Sequence, residues 1–195
     1  MFAVLAWSKK HMYDFYYDVM KREYHHDVHM HYTDTDSLFL TIDTNDIYED
    51  MAKNLKMVEH FDISNYKPDH KLFEFAKKHG TYDKLLEIQK NNAGTLGKFK
   101  DEAGGGIIKE LCFNKPKMYS YLKEGEDEAF KRNKKAKGVP RSVMKYIKHE
   151  MYRQSLISDK PEDLLRRANF HRIQCKSHVL ATVEQEKRTL SHYDD

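Results

Sequence analysis

Cysteine is scarce in this chain of 195 residues, and Cys112 and Cys175 stand far apart in no CxxC spacing. Neither a disulfide framework nor a zinc site is expected from them, and a reducing, intracellular compartment suits such usage. Long apolar runs are missing as well: the mean hydropathy is −0.86, and no stretch approaches the ~18 residues that a membrane helix needs. The apolar start Met1 to Trp7 has no basic residue before it and runs into Ser8, Lys9 and Lys10, which makes a poor signal peptide. There is no internal repeat. Gly94 to Lys98 lacks the spacing and the Ser/Thr of a P-loop, and Gly104 to Gly106 reads as a turn. His149-Glu150 lacks the second histidine of a helical zinc-protease motif, and Ser37 has no histidine and acid at a recognisable spacing.

What is present suits one ordinary domain or two small ones, because 39% hydrophobic residues at this length can bury a real core. The net charge of +3 is unevenly spread. Residues 1–97 carry 12 Lys and Arg against 16 Asp and Glu, whereas residues 98–195 carry 22 against 15. Between Lys131 and Arg153 there are nine basic residues and one acid, Glu150, a density that fits a polyanion such as nucleic acid or a solvated helix face.

Apolar spacing predicts an amphipathic helix over 3–23, with Leu5, Met12, Phe15, Tyr16, Val19 and Met20 facing inward. The period then becomes two. Val28, Met30 and Tyr32 alternate with His29, His31 and Thr33, and Leu38, Leu40 and Ile42 alternate likewise, which predicts two strands around a tight turn at Asp34-Thr35-Asp36. A short helix over 46–54, a loop over 62–70 and a helix over 73–90 broken at Gly80 follow. Strands are expected over 98–102 and 107–113 around the glycine turn, and again over 118–122. Residues 124–133 read as a boundary. Pro140 opens a helix to about Leu156, Asp159 and Pro161 start another to about Arg167, and 170–186 alternates weakly.

Tyr32-Thr33-Asp34-Thr35-Asp36-Ser37 is the strongest chemical candidate. Two carboxylates at a hairpin tip can converge on one cation, and Mg²⁺ sites typically use one or two carboxylates with substrate phosphates and water. Phosphoryl transfer needs such a cation to activate the attacking hydroxyl and neutralise charge on phosphorus. A bare Asp-x-Asp is also simply a good turn. The histidines His25, His26, His29 and His31 cluster, and His29 and His31 could share a strand face and bind a transition metal; with no supporting cysteine they read as structural or solvated.

The string 32–37, set between two strands and preceded by a long helix, resembles motif C of family B DNA polymerases, of the form Tyr-x-Asp-Thr-Asp-Ser. Gly97 to Glu102, Asn114 to Ser120, Lys135 to Arg141 and Leu190 to Asp195 follow in the order of the protein-primed branch, similar to polymerases of Polinton or Maverick transposons and related viruses. Residues 81–95 are the least family-like. The resemblance implies an α+β fold: residues 1–133 the last part of an antiparallel polymerase palm with packed helices, residues 134–195 a small basic thumb.

It also implies roles. Asp36 becomes the main metal ligand and Asp34 a supporting carboxylate for Mg²⁺ in a two-metal site. Tyr32 and Thr35 shape the turn near the primer end. Lys117 and Tyr119 match the Lys-x-Tyr motif at the primer terminus, and Lys134, Lys135, Lys137 and Arg141 contact the duplex backbone. The partners implied are a DNA primer–template, a deoxynucleoside triphosphate (dNTP) and a terminal protein primer, with no membrane, in the nucleus or a viral factory. No Asp-x-x-Ser-Leu-Tyr-Pro string (motif A), no fingers lysine motif and no exonuclease acids occur in these residues. The expectation is a polymerase fragment with little activity alone. Two other expectations stay open: a non-catalytic nucleic-acid-binding module, and a metal-dependent nuclease at Asp34 and Asp36.

Overall fold

A computed structural model describes residues 2–125, 133–158 and 167–190. The helical period at the start of the chain gives α1 (Phe2–Asp14), a π-helical stretch (Phe15–Met20) and α2 (Lys21–Tyr24). The wider π turn shifts the apolar stripe by one residue. Met12, Phe15, Tyr16, Met20 and Tyr24 are buried, while Leu5, expected inside, lies exposed with Val4 and Trp7.

The period-two segments form β1 (Val28–Asp34) and β2 (Ser37–Ile42), an antiparallel pair with a register shift between Met30 and Tyr32. Val28 is fully buried at the base, where the Asp43 amide donates to the Asp27 carbonyl at 2.7 Å. The next helices are α3 (Ile47–Lys53), α4 (Leu55–Val58), α5 (Lys71–His79) and α6 (Tyr82–Asn92). Asp46 caps α3 by accepting from the Tyr48 amide at 2.9 Å, and Gly80 ends α5 in the left-handed conformation that glycine adopts without strain. Together they enclose a core of Phe15, Met20, Val28, Met51, Ile63, Leu72, Phe73 and Leu85. The strand expected over 98–102 does not form. Phe99 makes a single parallel bridge to Phe61 and stacks on Phe15 with ring centroids 3.8 Å apart.

Next come β3 (Ile108–Lys115), β4 (Met118–Lys123) and β5 (Lys134–Ala136), antiparallel in that order. The helix expected from Pro140 to Leu156 is broken. It divides into α7 (Arg141–Met144) and α8 (His149–Ile157), because Ile147 turns into a small second core with Cys112, Met118, Tyr152 and Leu190. Finally β6 (Arg167–Lys176) and β7 (Val179–Arg188) pair through ten residues each, around a Ser177-His178 turn whose positive φ values match the twist of a two-residue hairpin. The helix expected from Asp159 lies in residues outside those described, except that Arg167 opens β6.

The result is a mixed α+β chain with small antiparallel sheets. It divides into two compact units, Met1–Glu102 and Ala103–Asp195. The expected division at 133/134 falls inside the second unit, where β5 completes the β3–β4 sheet. Among the described residues no helix is long and apolar enough to cross a membrane.

Candidate functional site

The β1–β2 tip concentrates four of the predicted residues. Asp34 pairs with Ser37, leaving Thr35 and Asp36 as the loop. The Asp36 amide donates to the Asp34 carbonyl at 2.6 Å across Thr35, whose φ is 56°. This is the bond of a γ-turn in its positive-φ form, a rare and strained conformation, held by a β-branched residue that ordinarily avoids it. The Thr35 hydroxyl donates to Asp34 Oδ1 at 3.1 Å, and Ser37 Oγ donates to the Asp34 carbonyl at 3.2 Å. Asp34 is half-buried and Asp36 exposed. Carboxylate oxygens are the donors that hard cations take, and two carboxylates supply only part of such a coordination shell. Tyr32 is half-buried, with its ring tilted against Phe39 at 6.0 Å. A cleft beside the tip is lined by Lys9, Met12, Tyr13 and Tyr16 from the first helix and by Thr33 and Thr35 from the hairpin.

In the second unit, the β3–β4 turn carries Lys117. Lys115 pairs with Met118, so Pro116 and Lys117 form the loop, with Lys117 exposed at φ 61°. Proline followed by a positive φ is the pattern of a type II turn, whose second central position favours glycine. Tyr119 is buried: its ring packs edge-on against Phe113 and lies 5.7 Å under the Lys135 ammonium. Lys134 is half-buried and donates to the Ile147 carbonyl, a bond that ties β5 to the segment before α8. Lys135, Lys137 and Arg141 are exposed.

One constellation escaped the sequence. Glu110 and Cys112 lie two residues apart on β3, so they share a face, and Ser120 sits opposite Cys112 on β4. Against that face packs the first turn of α8, which presents His149. His149 Nε2 is 3.8 Å from Cys112 Sγ and 3.5 Å from Glu110 Oε1, and Cys112 Sγ is 3.9 Å from Glu110 Oε1. On the far side of the ring, His149 Nδ1 is 2.9 Å from Ser120 Oγ. His149 and Cys112 are buried, and Glu110 is half-exposed. Burial, reinforced by the Glu110 charge, pushes the Cys112 thiol up to about 11. The only sequence signal was the Glu-x-Cys alternation within a strand.

No family model, no curated protein and no solved structure matches this chain.

Proposed function

We propose that this chain is the C-terminal palm and thumb part of a DNA-directed DNA polymerase of the protein-primed family B type. Template-directed transfer of a nucleotide from a dNTP to a primer 3′-hydroxyl would be the activity of the whole enzyme. The observation that carries this reading is the strained turn between Asp34 and Asp36. A threonine held at positive φ costs of order 1–3 kcal/mol, and such strain gathers where a turn must aim functional groups. Asp34 and Asp36 would hold Mg²⁺, which supplies charge neutralisation and hydroxyl activation when bound. Lys117 would hold primer phosphate, and Lys135, Lys137 and Arg141 the duplex backbone. With no motif A carboxylate in these residues, extension by the chain alone is expected to be weak or absent. Exposed Lys135, Lys137 and Arg141 equally favour a second reading, a nucleic-acid-binding module without chemistry.

Localised cleavage separates the two. Fe²⁺ with ascorbate cuts DNA close to wherever the iron is held, so a labelled primer–template bound to the chain reports both binding and the metal position. The polymerase reading expects cuts clustered near the primer 3′ end that Asp36→Ala abolishes. DNA binding with no such cluster leaves the binding module alone. In either case binding weakens steeply with salt, and Lys135→Ala/Lys137→Ala lowers the slope of log K against log salt by about 2. No DNA binding at low salt overturns both readings. Nicking of plasmid DNA by the wild type, lost in Asp36→Ala, replaces them with the nuclease.

A further inference from the structure

We propose that Glu110, Cys112 and His149 form a zinc site that clamps α8 onto the β3–β4 sheet. The site is independent of the polymerase reading.

The geometry comes first. The three ligand atoms lie 3.5–3.9 Å apart. Zinc bonds of about 2.0–2.3 Å arranged tetrahedrally put such atoms roughly 3.3–3.6 Å apart, so a contraction of a few tenths of an ångström closes the site. Each ligand atom comes from a separate backbone position of a rigid element. Glu110 and Cys112 project from the same face of β3, and His149 lies in the first turn of α8.

The donor set comes second. One sulfur, one imidazole nitrogen and one carboxylate oxygen suit Zn²⁺, a borderline-soft ion, and do not suit Mg²⁺, which takes oxygens. Cys112 binds as the thiolate and releases its proton to solvent. With two anionic ligands the bound ion is formally neutralised, which a partly buried site requires.

The supporting contacts come third. Metal-bound histidines donate their second ring N–H to a fixed acceptor, which orients the ring. His149 has that partner in Ser120 Oγ, at 2.9 Å and itself buried. With Nδ1–H donating to Ser120, the Nε2 lone pair faces Cys112 and Glu110. Arg153 is engaged by Glu150 at 2.6 Å and approaches Glu110 only to 3.9 Å. Glu110 is the half-exposed member, so a fourth ligand enters from its side. Three protein ligands with one open position permit water or a solute there.

Cobalt substitution tests the site on the full chain. Co²⁺ bound by a thiolate gives a near-ultraviolet charge-transfer band, and tetrahedral coordination gives intense visible bands. The expected result is one equivalent of Co²⁺ showing both features, displaced by one equivalent of Zn²⁺. Cys175→Ser keeps the spectrum, Cys112→Ser loses the thiolate band, and Ser120→Ala weakens Zn²⁺ by about 10-fold or more as a positioning change. Zn²⁺ should also raise the thermal midpoint of the wild type. Should Cys112→Ser fail to fold, Glu110→Gln decides, because it is half-exposed and expected to lower affinity at least about 10-fold. Absence of a thiolate band, its survival in Cys112→Ser, or unchanged Zn²⁺ affinity in both Glu110→Gln and Ser120→Ala overturns the proposal. So does Zn²⁺ bound only by exposed histidines such as His25 and His26.

Discussion

The β1–β2 tip carries two carboxylates, whereas the β3–α8 contact gathers a carboxylate, a thiol and an imidazole, and the two groups differ in softness and in burial. The tip is hard and open: two carboxylates, one exposed, on a unit with 14 Lys and Arg against 18 Asp and Glu. The contact is softer and mostly buried, on a unit with 20 Lys and Arg against 13 Asp and Glu. An acidic surround recruits hydrated divalent ions without close geometry. A net positive unit does not concentrate such ions, so a site there relies on short bonds to thiolate and imidazole. On the proposed reading, affinity at the tip depends on the phosphates of a bound nucleotide, and affinity at the contact on preorganised protein ligands.

Crossing the variants gives the largest expected effect. Asp34→Ala/Asp36→Ala is expected to abolish tip-directed cleavage of bound DNA and to leave the cobalt thiolate band at full intensity. Cys112→Ser is expected to do the reverse. If one variant removes both signals, the two groupings do not act as separate sites.

A smaller but still large effect concerns the cores. The first unit packs many apolar side chains, whereas the second packs around Cys112, Met118, Ile147, Tyr152 and Leu190. Tyr152 is fully buried, and its hydroxyl donates to the Lys135 carbonyl at 3.0 Å. Tyr152→Ala should cost about 3–5 kcal/mol, a large share of what so small a core supplies. Hydrogen exchange should show amides of β3, β4 and α8 losing protection. Unchanged protection there would mean that the sheet does not depend on this helix.

Local chemistry was legible in the sequence, and distant pairing was not. Alternation placed β1 and β2, short polar residues placed their turn, Asp46 marked the start of α3, and Gly80 marked the end of α5. Each is a property of a few neighbouring residues. The π-helical stretch was hidden because Phe15 to Met20 fits an ordinary helical stripe equally well, and only packing selects the wider turn. The break between α7 and α8 was hidden for a related reason: helical spacing continues across 145–148, and burial of Ile147 overrides it. That break sets His149 in the first turn of α8, so the Glu110–Cys112–His149 grouping was out of reach as well. Nothing in spacing alone connects Cys112 to a histidine 37 residues on.

Thr35 and Lys117, each at positive φ in a hairpin loop, give a gentler comparison. Lys117→Gly should stabilise the second unit by about 0.5–1 kcal/mol, since relief of the left-handed conformation outweighs the added freedom of the unfolded chain. Thr35→Gly should gain less, because it also forfeits the hydrogen bond from Thr35 to Asp34. Urea unfolding measures both. If the Thr35 turn is strained for function, localised cleavage spreads in Thr35→Gly even as stability rises. A gain in stability with unchanged cleavage would mark that turn as structural.

The smallest expected effect is acid sensitivity in the first unit. Glu49 on α3 accepts from His79 Nε2 at 3.0 Å and Lys78 Nζ at 3.3 Å on α5, with Lys53 Nζ at 3.5 Å. These partners hold its carboxyl down to about 2, below its ordinary 4.5. A carboxylate whose folded value is depressed stabilises the fold above the unfolded value, and that contribution is lost as pH falls from about 4.5 toward 2. Added salt should weaken it, because the Lys78 and Lys53 partners are exposed. Glu49→Gln should therefore lower the thermal midpoint slightly at pH 7 and shrink the drop between pH 5 and pH 2.5. An unchanged drop would assign acid sensitivity to other carboxylates and leave the α3–α5 contact resting on its apolar packing through Met51, Leu72 and Phe73.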